Sequence, residues 1–181
     1  MAIEEPSFTV LINEPPHQLR RYSGFIVAET EVQGDFDSAS RAGFRKVAKY
    51  IFGGNRSNDG SSRKIPMTAP VTVEQLSDSW RLHFVMPKSE SIDRLPTPLQ
   101  SDVKLRPVNE HVVAVVTFSG FTTHRSIHLA SLDLNNWMNS KQLQAIGSAQ
   151  IARYNDPFTM PWKRRNEIMI PTSIALPTIQ N

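Results

Sequence analysis

His124 and His128 stand four residues apart, the spacing at which two imidazoles share one helix face and can begin a metal site. A zinc centre wants at least a third protein ligand. No Glu follows His124 as in a His-Glu-X-X-His segment, and Asp133 falls off the 124/128 face, so exposed helix histidines are expected. Glu29 and Glu31 lie two apart on an alternating segment and therefore on one face, where paired acids could do acid–base work; a solvated strand face is the simpler reading. Asn55, Ser57, Asp59 and Gly60 imitate the start of a calcium loop, but Pro66 stands where its bidentate Glu should be. Arg41, Arg45 and Lys49 form one i, i+4 ladder with Phe44 and Ala48 beside it, and a basic stripe opposite a core stripe is ordinarily a solvated face. Arg164-Arg165-Asn166-Glu167 takes charge into a final strand, where with Tyr154 and Pro157 it can hold a turn and an ion pair. The chain has no Gly-X-Ser-X-Gly, no phosphate loop and no dinucleotide fingerprint.

The elements that must position these residues fall into two halves of similar layout. Residues 8–12 and 17–22 are short strand candidates, and 25–33 alternates between two faces. Asp35 or Asp37 can cap a helix whose apolar positions Phe36, Ala39, Gly43, Val47 and Ile51 recur at three and four residues, and Gly53-Gly54 stops it. A polar loop over 55–64 and strands over 66–75 and 80–86 complete the half. After a Pro-, Ser- and acid-rich connection (87–98) come strands over 103–108 and 112–119, the second apolar on both faces and hence central. A helix over 122–142 carries Ile127, Ala130, Leu134, Trp137 and Met138 on one stripe, and strands over 150–154 and 167–171 close the chain. Strand, strand, helix, strand, strand in both halves predicts an α+β fold with antiparallel sheet. It is read as one domain over 1–181 with pseudo-repeats at about 8–86 and 103–171.

Composition narrows the chemistry. Of 181 residues, 39% are hydrophobic and 20% charged, enough to bury a core without staples. With no cysteine there is no disulfide, cysteine zinc site, thiolate haem ligand or cysteine nucleophile. Twenty basic against 17 acidic residues, a net +3, is too slight for a nucleic-acid footprint. No run approaches the ~20 apolar residues of a membrane span. Met1-Ala2-Ile3-Glu4-Glu5 carries acid where a signal peptide carries base, so a cytoplasmic location is expected.

Several segments are more particular. Leu19-Arg20-Arg21-Tyr22, Tyr50-Ile51-Phe52-Gly53-Gly54-Asn55, Lys64-Ile65-Pro66-Met67-Thr68-Ala69-Pro70-Val71 and Phe84-Val85-Met86-Pro87 come first. Phe118-Ser119-Gly120, Ala152-Arg153-Tyr154-Asn155-Asp156-Pro157 and Arg164-Arg165-Asn166-Glu167 follow. In this order and spacing they closely resemble the SOUL haem-binding protein family, from about residue 8 to about 171. The resemblance implies a distorted antiparallel β-barrel of about eight strands with two flanking helices. It also implies haem or other tetrapyrrole binding, in some members, in a shallow apolar groove beside the first helix. Carried over by position, Arg41 and Lys49 fall where basic residues meet haem propionates, and Phe44 and Ala48 where apolar residues face the ring. Phe52 and Met67 could add apolar or polarisable walls. Arg21 stands where one branch of the family has a histidine proposed to ligate iron, so that ligand is missing here. The expected function is a soluble, non-catalytic tetrapyrrole carrier or buffer. The alternative is a small-molecule or tetrapyrrole-modifying enzyme on the same scaffold, with Glu29, Glu31, Tyr154 and Glu167 as candidates. An interaction module acting through a short helical segment ranks last, because no such segment is recognisable.

Overall fold

A computed structural model describes residues 3–173. The one-domain reading of 1–181 therefore extends outside the described residues at both ends. The strands are β1 (Phe8–Glu14), β2 (His17–Tyr22), β3 (Phe25–Val32), β4 (Asn55–Arg56), β5 (Val71–Gln75), β6 (Trp80–Val85), β7 (Thr97–Pro98), β8 (Val103–Val108), β9 (His111–Phe118), β10 (Gln144–Ala145), β11 (Gln150–Arg153) and β12 (Asn166–Ser173). The helices are α1 (Phe36–Ile51) and α2 (His124–Ser140).

Alternating apolar and polar residues make each long strand two-sided, and the sheet buries both sides differently. Its order is β1-β2-β9-β12-β11-β5-β6-β3-β8, with β10 added to β12 and β4 paired with β7 as a separate ribbon. Every strand pairing is antiparallel, and the sheet curls into a half-barrel carrying two helices. The same order of elements occurs twice, as β2-β3-α1-β5-β6 and β8-β9-α2-β11-β12. The first strand of each set pairs in the other half: β2 lies on β9, and β8 on β3. The halves also join directly where β5 pairs β11.

One face of the sheet carries Leu19, Ala28, Leu82, Phe84, Val116 and Ile168, packed under Phe36, Val47 and Ile51 of α1 and Leu134, Trp137 and Met138 of α2. The opposite, inner face holds a smaller cluster around Tyr22, Val113, Val115 and Met169. Helix α1 buries the whole expected stripe. Gly43 sits where a side chain would press on Leu82, its Cβ position 3.1 Å from that of Leu82, which lets α1 lie close to β6. Asp35 rather than Asp37 is the cap, accepting from the backbone N–H groups of Asp37 (3.1 Å) and Ser38 (3.0 Å). Helix α2 buries only Leu134, Trp137 and Met138, while Ile127 and Ala130 are half-buried.

The differences from expectation have backbone causes. The strand expected over 66–75 begins at Val71, because Pro66 and Pro70 have no N–H to give a ladder. The helix expected over 122–142 is cut to 124–140 by a capping box between Thr123 and Ser126. The short pieces β4, β7 and β10 lie in segments with no strand pattern. Nine strands rather than eight follow one another along the main path.

Asp35→Ala should lower the unfolding midpoint, and Asp37→Ala should lower it much less. Urea unfolding with an unchanged m-value checks this; equal effects would contradict the assigned cap.

Candidate ligand groove and inner-face ion cluster

Helix α1 packs chiefly on β3, β6 and β8, and α2 on β9 and β12. The seam strands β5 and β11 run between these two coverings, and a groove of about 510 Å³ opens there beside α1. Its floor is the helix-side face of the seam: Val71 and Val73 from β5, Leu82 from β6 and Arg153 from β11. Ser40, Arg41, Phe44 and Arg45 of α1 form one wall. Met67–Ala69 and Tyr154–Pro157 supply the rest, and Ile3 lies across one edge. Phe44 is fixed by a tilted contact with Phe84, ring centroids 5.3 Å apart. Asp156 shapes the Tyr154–Pro157 wall by accepting from the N–H groups of Phe158 (2.8 Å) and Thr159 (3.0 Å). Arg164 braces it by donating to the carbonyls of Thr159 (2.8 Å) and Pro157 (2.6 Å).

Several polar groups around this apolar floor are left without partners. Arg41, Arg45 and Arg153 belong to no ion pair among the described residues. Ser40 is 4% exposed, and its Oγ and the Nε of Arg153 are buried without a hydrogen bond. The Arg153 guanidinium stacks on Phe36, 4.9 Å from the ring centroid. Burial pushes its pKa down and Asp37 opposes the shift, but an arginine remains charged at neutral pH. An apolar surface edged by uncompensated arginines and orphaned donors suits a large flat ring bearing carboxylates.

On the inner face, Glu167 is wholly buried on β12. It accepts two hydrogen bonds from Arg20 (2.9 and 3.0 Å), two from Arg165 (3.1 and 2.9 Å) and one from the Tyr154 hydroxyl (2.7 Å). Burial pushes this carboxyl up, but the Arg20 bonds, both guanidinium charges and the tyrosine outweigh it and hold it below the ordinary range. Arg165 reaches on to Glu5 (3.1 Å), and Asn166 donates to the carbonyl of Gly120 (3.0 Å). Glu29 belongs to a second group, accepting from Arg106 (3.0 and 2.8 Å) beside buried His83. His83 meets the Thr72 hydroxyl through Nδ1 (3.1 Å), and its Nε2 lies 3.5 Å from Glu29.

Residues 3–171 match the family described as SOUL heme-binding protein. The chain belongs to that family. The human Heme-binding protein 2 is 33% identical over 134 aligned positions, covering 67% of this chain and 63% of that protein. This chain therefore spans under two thirds of that relative's length. The mouse Heme-binding protein 2 is 29% identical over 188 aligned positions, covering 93% of this chain and 86% of that protein. Among solved structures, a hydrolase from Listeria innocua superposes with a TM-score of 0.61 at 14% identity, covering 90% of this chain and 94% of the other. At that identity the likeness speaks for the fold alone.

Of the residues singled out from the sequence, Arg41, Phe44 and Met67 line the SOUL-family chain's groove together. Ala48 is on the buried side of α1 and, with Lys49 and Phe52, the latter 57% exposed, is outside the lining. The helix ends there in a tight turn, with the N–H of Gly54 donating to the Lys49 carbonyl (2.8 Å). A side chain on Gly54 would come within 2.6 Å of that oxygen. Ser40 and Arg153 are polar groove residues that sequence reasoning passed over, and Arg45 was placed there only as a rung of the basic ladder. Ser40 interrupts the buried side of α1, and Arg153 shares the parity of buried Ile151. A polar residue at a core position was the available signal. The four acid–base candidates separate: Tyr154 and Glu167 join one cluster, Glu29 another, and Glu31 stands exposed on Arg81 (2.8 Å). The ring of His17 contacts Asp133 (2.8 Å), and His124 and His128 are exposed. No group of three His, Cys, Asp or Glu able to hold a metal occurs among the described residues, and none of their helices is long and apolar enough to cross a membrane.

Two pH windows follow. His83 is pushed down to about 4 by burial, from an ordinary 6.5. Between these values the unfolded chain binds a proton that the folded one does not, so stability falls by about 3 kcal/mol as pH drops from roughly 6.5 to 4. Glu167 acts lower: its contribution is present above the ordinary 4.5 and is lost as pH falls through its depressed folded value. Denaturation curves against pH should therefore lose the upper slope in His83→Gln and keep the lower one. An unchanged upper slope would contradict the assignment.

Proposed function

We propose that this protein binds haem or a related tetrapyrrole as a non-catalytic carrier or buffer, and that its site is the groove along α1. The observation that carries the reading is an apolar floor between arginines with no carboxylate of their own. A volume of about 510 Å³ lies in the range of small-molecule sites. The names of the human and mouse relatives point the same way.

In this reading the ring rests on Phe44, Met67, Val71, Val73 and Leu82. Arg41 and Arg45 meet its carboxylates from one helix face. Ala48 and Phe52 continue the apolar line of Phe44 at successive turns, and Lys49 continues the basic ladder at the exposed end of the helix. Burying roughly 300 Å² of ring surface at ~25 cal/mol per Å² gains about 8 kcal/mol gross, before the cost of association. The charge-assisted contacts offset that cost and bring affinity into the micromolar range. When bound, haem iron would find no histidine among the lining residues and one soft sulfur, that of Met67. Packing and carboxylate contacts therefore dominate the affinity.

Titration with haemin and with metal-free protoporphyrin, followed by the Soret band and tryptophan quenching, tests the reading. Both should saturate at one equivalent with dissociation constants within about threefold. Arg41→Ala with Arg45→Ala should weaken both by tenfold or more, about 1.4 kcal/mol, and Lys49→Ala by less. Unchanged affinity in the double variant would overturn the groove assignment.

A further inference from the structure

The cations of the groove are not all on one side. Arg41 and Arg45 stand one turn apart on α1, whereas Arg153 rises from the sheet floor at the end of β11. Carboxylates clustered on one edge of a ring, as in haem, are met by the α1 pair. Arg153 is then still stacked, half-buried, on Phe36 with its buried Nε unbonded, and Ser40 still has a buried hydroxyl without a partner. Each unmatched donor in so dry a place costs free energy that a partner from the ligand would recover. The acid of the lining, Asp156, is already taken up by the backbone N–H groups of Phe158 and Thr159. Asp37 acts on Arg153 only through its charge, with no ion pair between them.

Resting on the tetrapyrrole reading above, we propose that Arg153 and Ser40 form a separate carboxylate subsite that selects tetrapyrroles with carboxylates on more than one edge. A ring bearing four carboxylates satisfies the α1 arginines and the floor subsite at once; a dicarboxylate satisfies only the first. The guanidinium supplies charge and two-point geometry, and the Ser40 hydroxyl adds a neutral donor. Arg153 is thus a specificity-determining residue within the groove floor.

The test compares two metal-free porphyrins, mesoporphyrin with two carboxylates and coproporphyrin with four, by fluorescence titration at fixed ionic strength. Wild-type protein should bind coproporphyrin tenfold or more tightly than mesoporphyrin. Arg153→Gln should erase that preference, weakening coproporphyrin about tenfold more than it weakens mesoporphyrin, and Ser40→Ala should reduce it by a smaller factor. Equal wild-type affinities would overturn the subsite without any variant having to fold. Equal losses for both porphyrins in a folded Arg153→Gln protein would also overturn it, marking Arg153 as a general contact. Mesoporphyrin binding without a coproporphyrin preference leaves the groove reading standing and rejects only the subsite. Failure of both porphyrins to bind rejects the two together.

Discussion

A buried carboxylate shared by two arginines and a tyrosine fixes the geometry on which the groove depends. Glu167 has no exposed surface and Arg20 only 3%, so the pair cannot trade its bonds for water. Such a pair adds little net stability over an apolar one, yet removing either member strands a charge in a dry site. What it secures is arrangement. Arg20 comes from β2, Glu167 from β12, and Tyr154 from the residue that follows β11. Arg165 extends the cluster to Glu5 and stacks on Tyr154, 3.7 Å from the ring centroid. The end of β11 is therefore held from the inner face, while Arg153, one residue earlier, projects from the helix-side face into the groove. Alternation along a strand links the two.

The groove is a consequence of how the halves share the sheet. Helix α1 covers β3, β6 and the exchanged β8, α2 covers β9 and β12, and the pairing of β5 with β11 leaves a seam that neither covers fully. A seam edged by two helices is a natural place for a flat ligand, since its floor is already apolar. The same exchange of β2 and β8 between halves explains why charge sits on the inner face. Arg20 meets Glu167 only because β2 crosses to β9, and Arg106 meets Glu29 only because β8 crosses to β3. The acids that invited an enzymatic reading are thereby bonded to arginines, and Glu167 is closed to solvent.

Much of the fold was legible in local patterns, because those patterns have local causes. Phe36, Ala39, Gly43, Val47 and Ile51 announce a helix face, and a strand apolar on both sides has to lie inside the sheet. The family segments pointed to the helix on which the groove is built. Less legible were features made only by pairing. Nothing in the sequence around Thr97-Pro98 shows that it meets Asn55-Arg56. Arg153 looks like an ordinary strand arginine until its partner strands are known, although its parity with Ile151 marks it as out of place. Lys49 and Arg45 are equivalent on a helical wheel. The turn at Gly53-Gly54, together with where the sheet floor lies, decides that Arg45 faces the groove and Lys49 does not.

The central claim is that the ligand lies against α1 and not in the curl of the sheet, where Val27, Val85 and Met169 line a smaller cavity of about 230 Å³. Titrating isotope-labelled protein with a diamagnetic gallium protoporphyrin and mapping amide and methyl shifts tests it directly. The account predicts the largest changes at Phe44, Arg45, Met67, Val73 and Arg153, with the Val27, Val85 and Met169 methyls nearly still. Perturbations centred on those three methyls instead would contradict it.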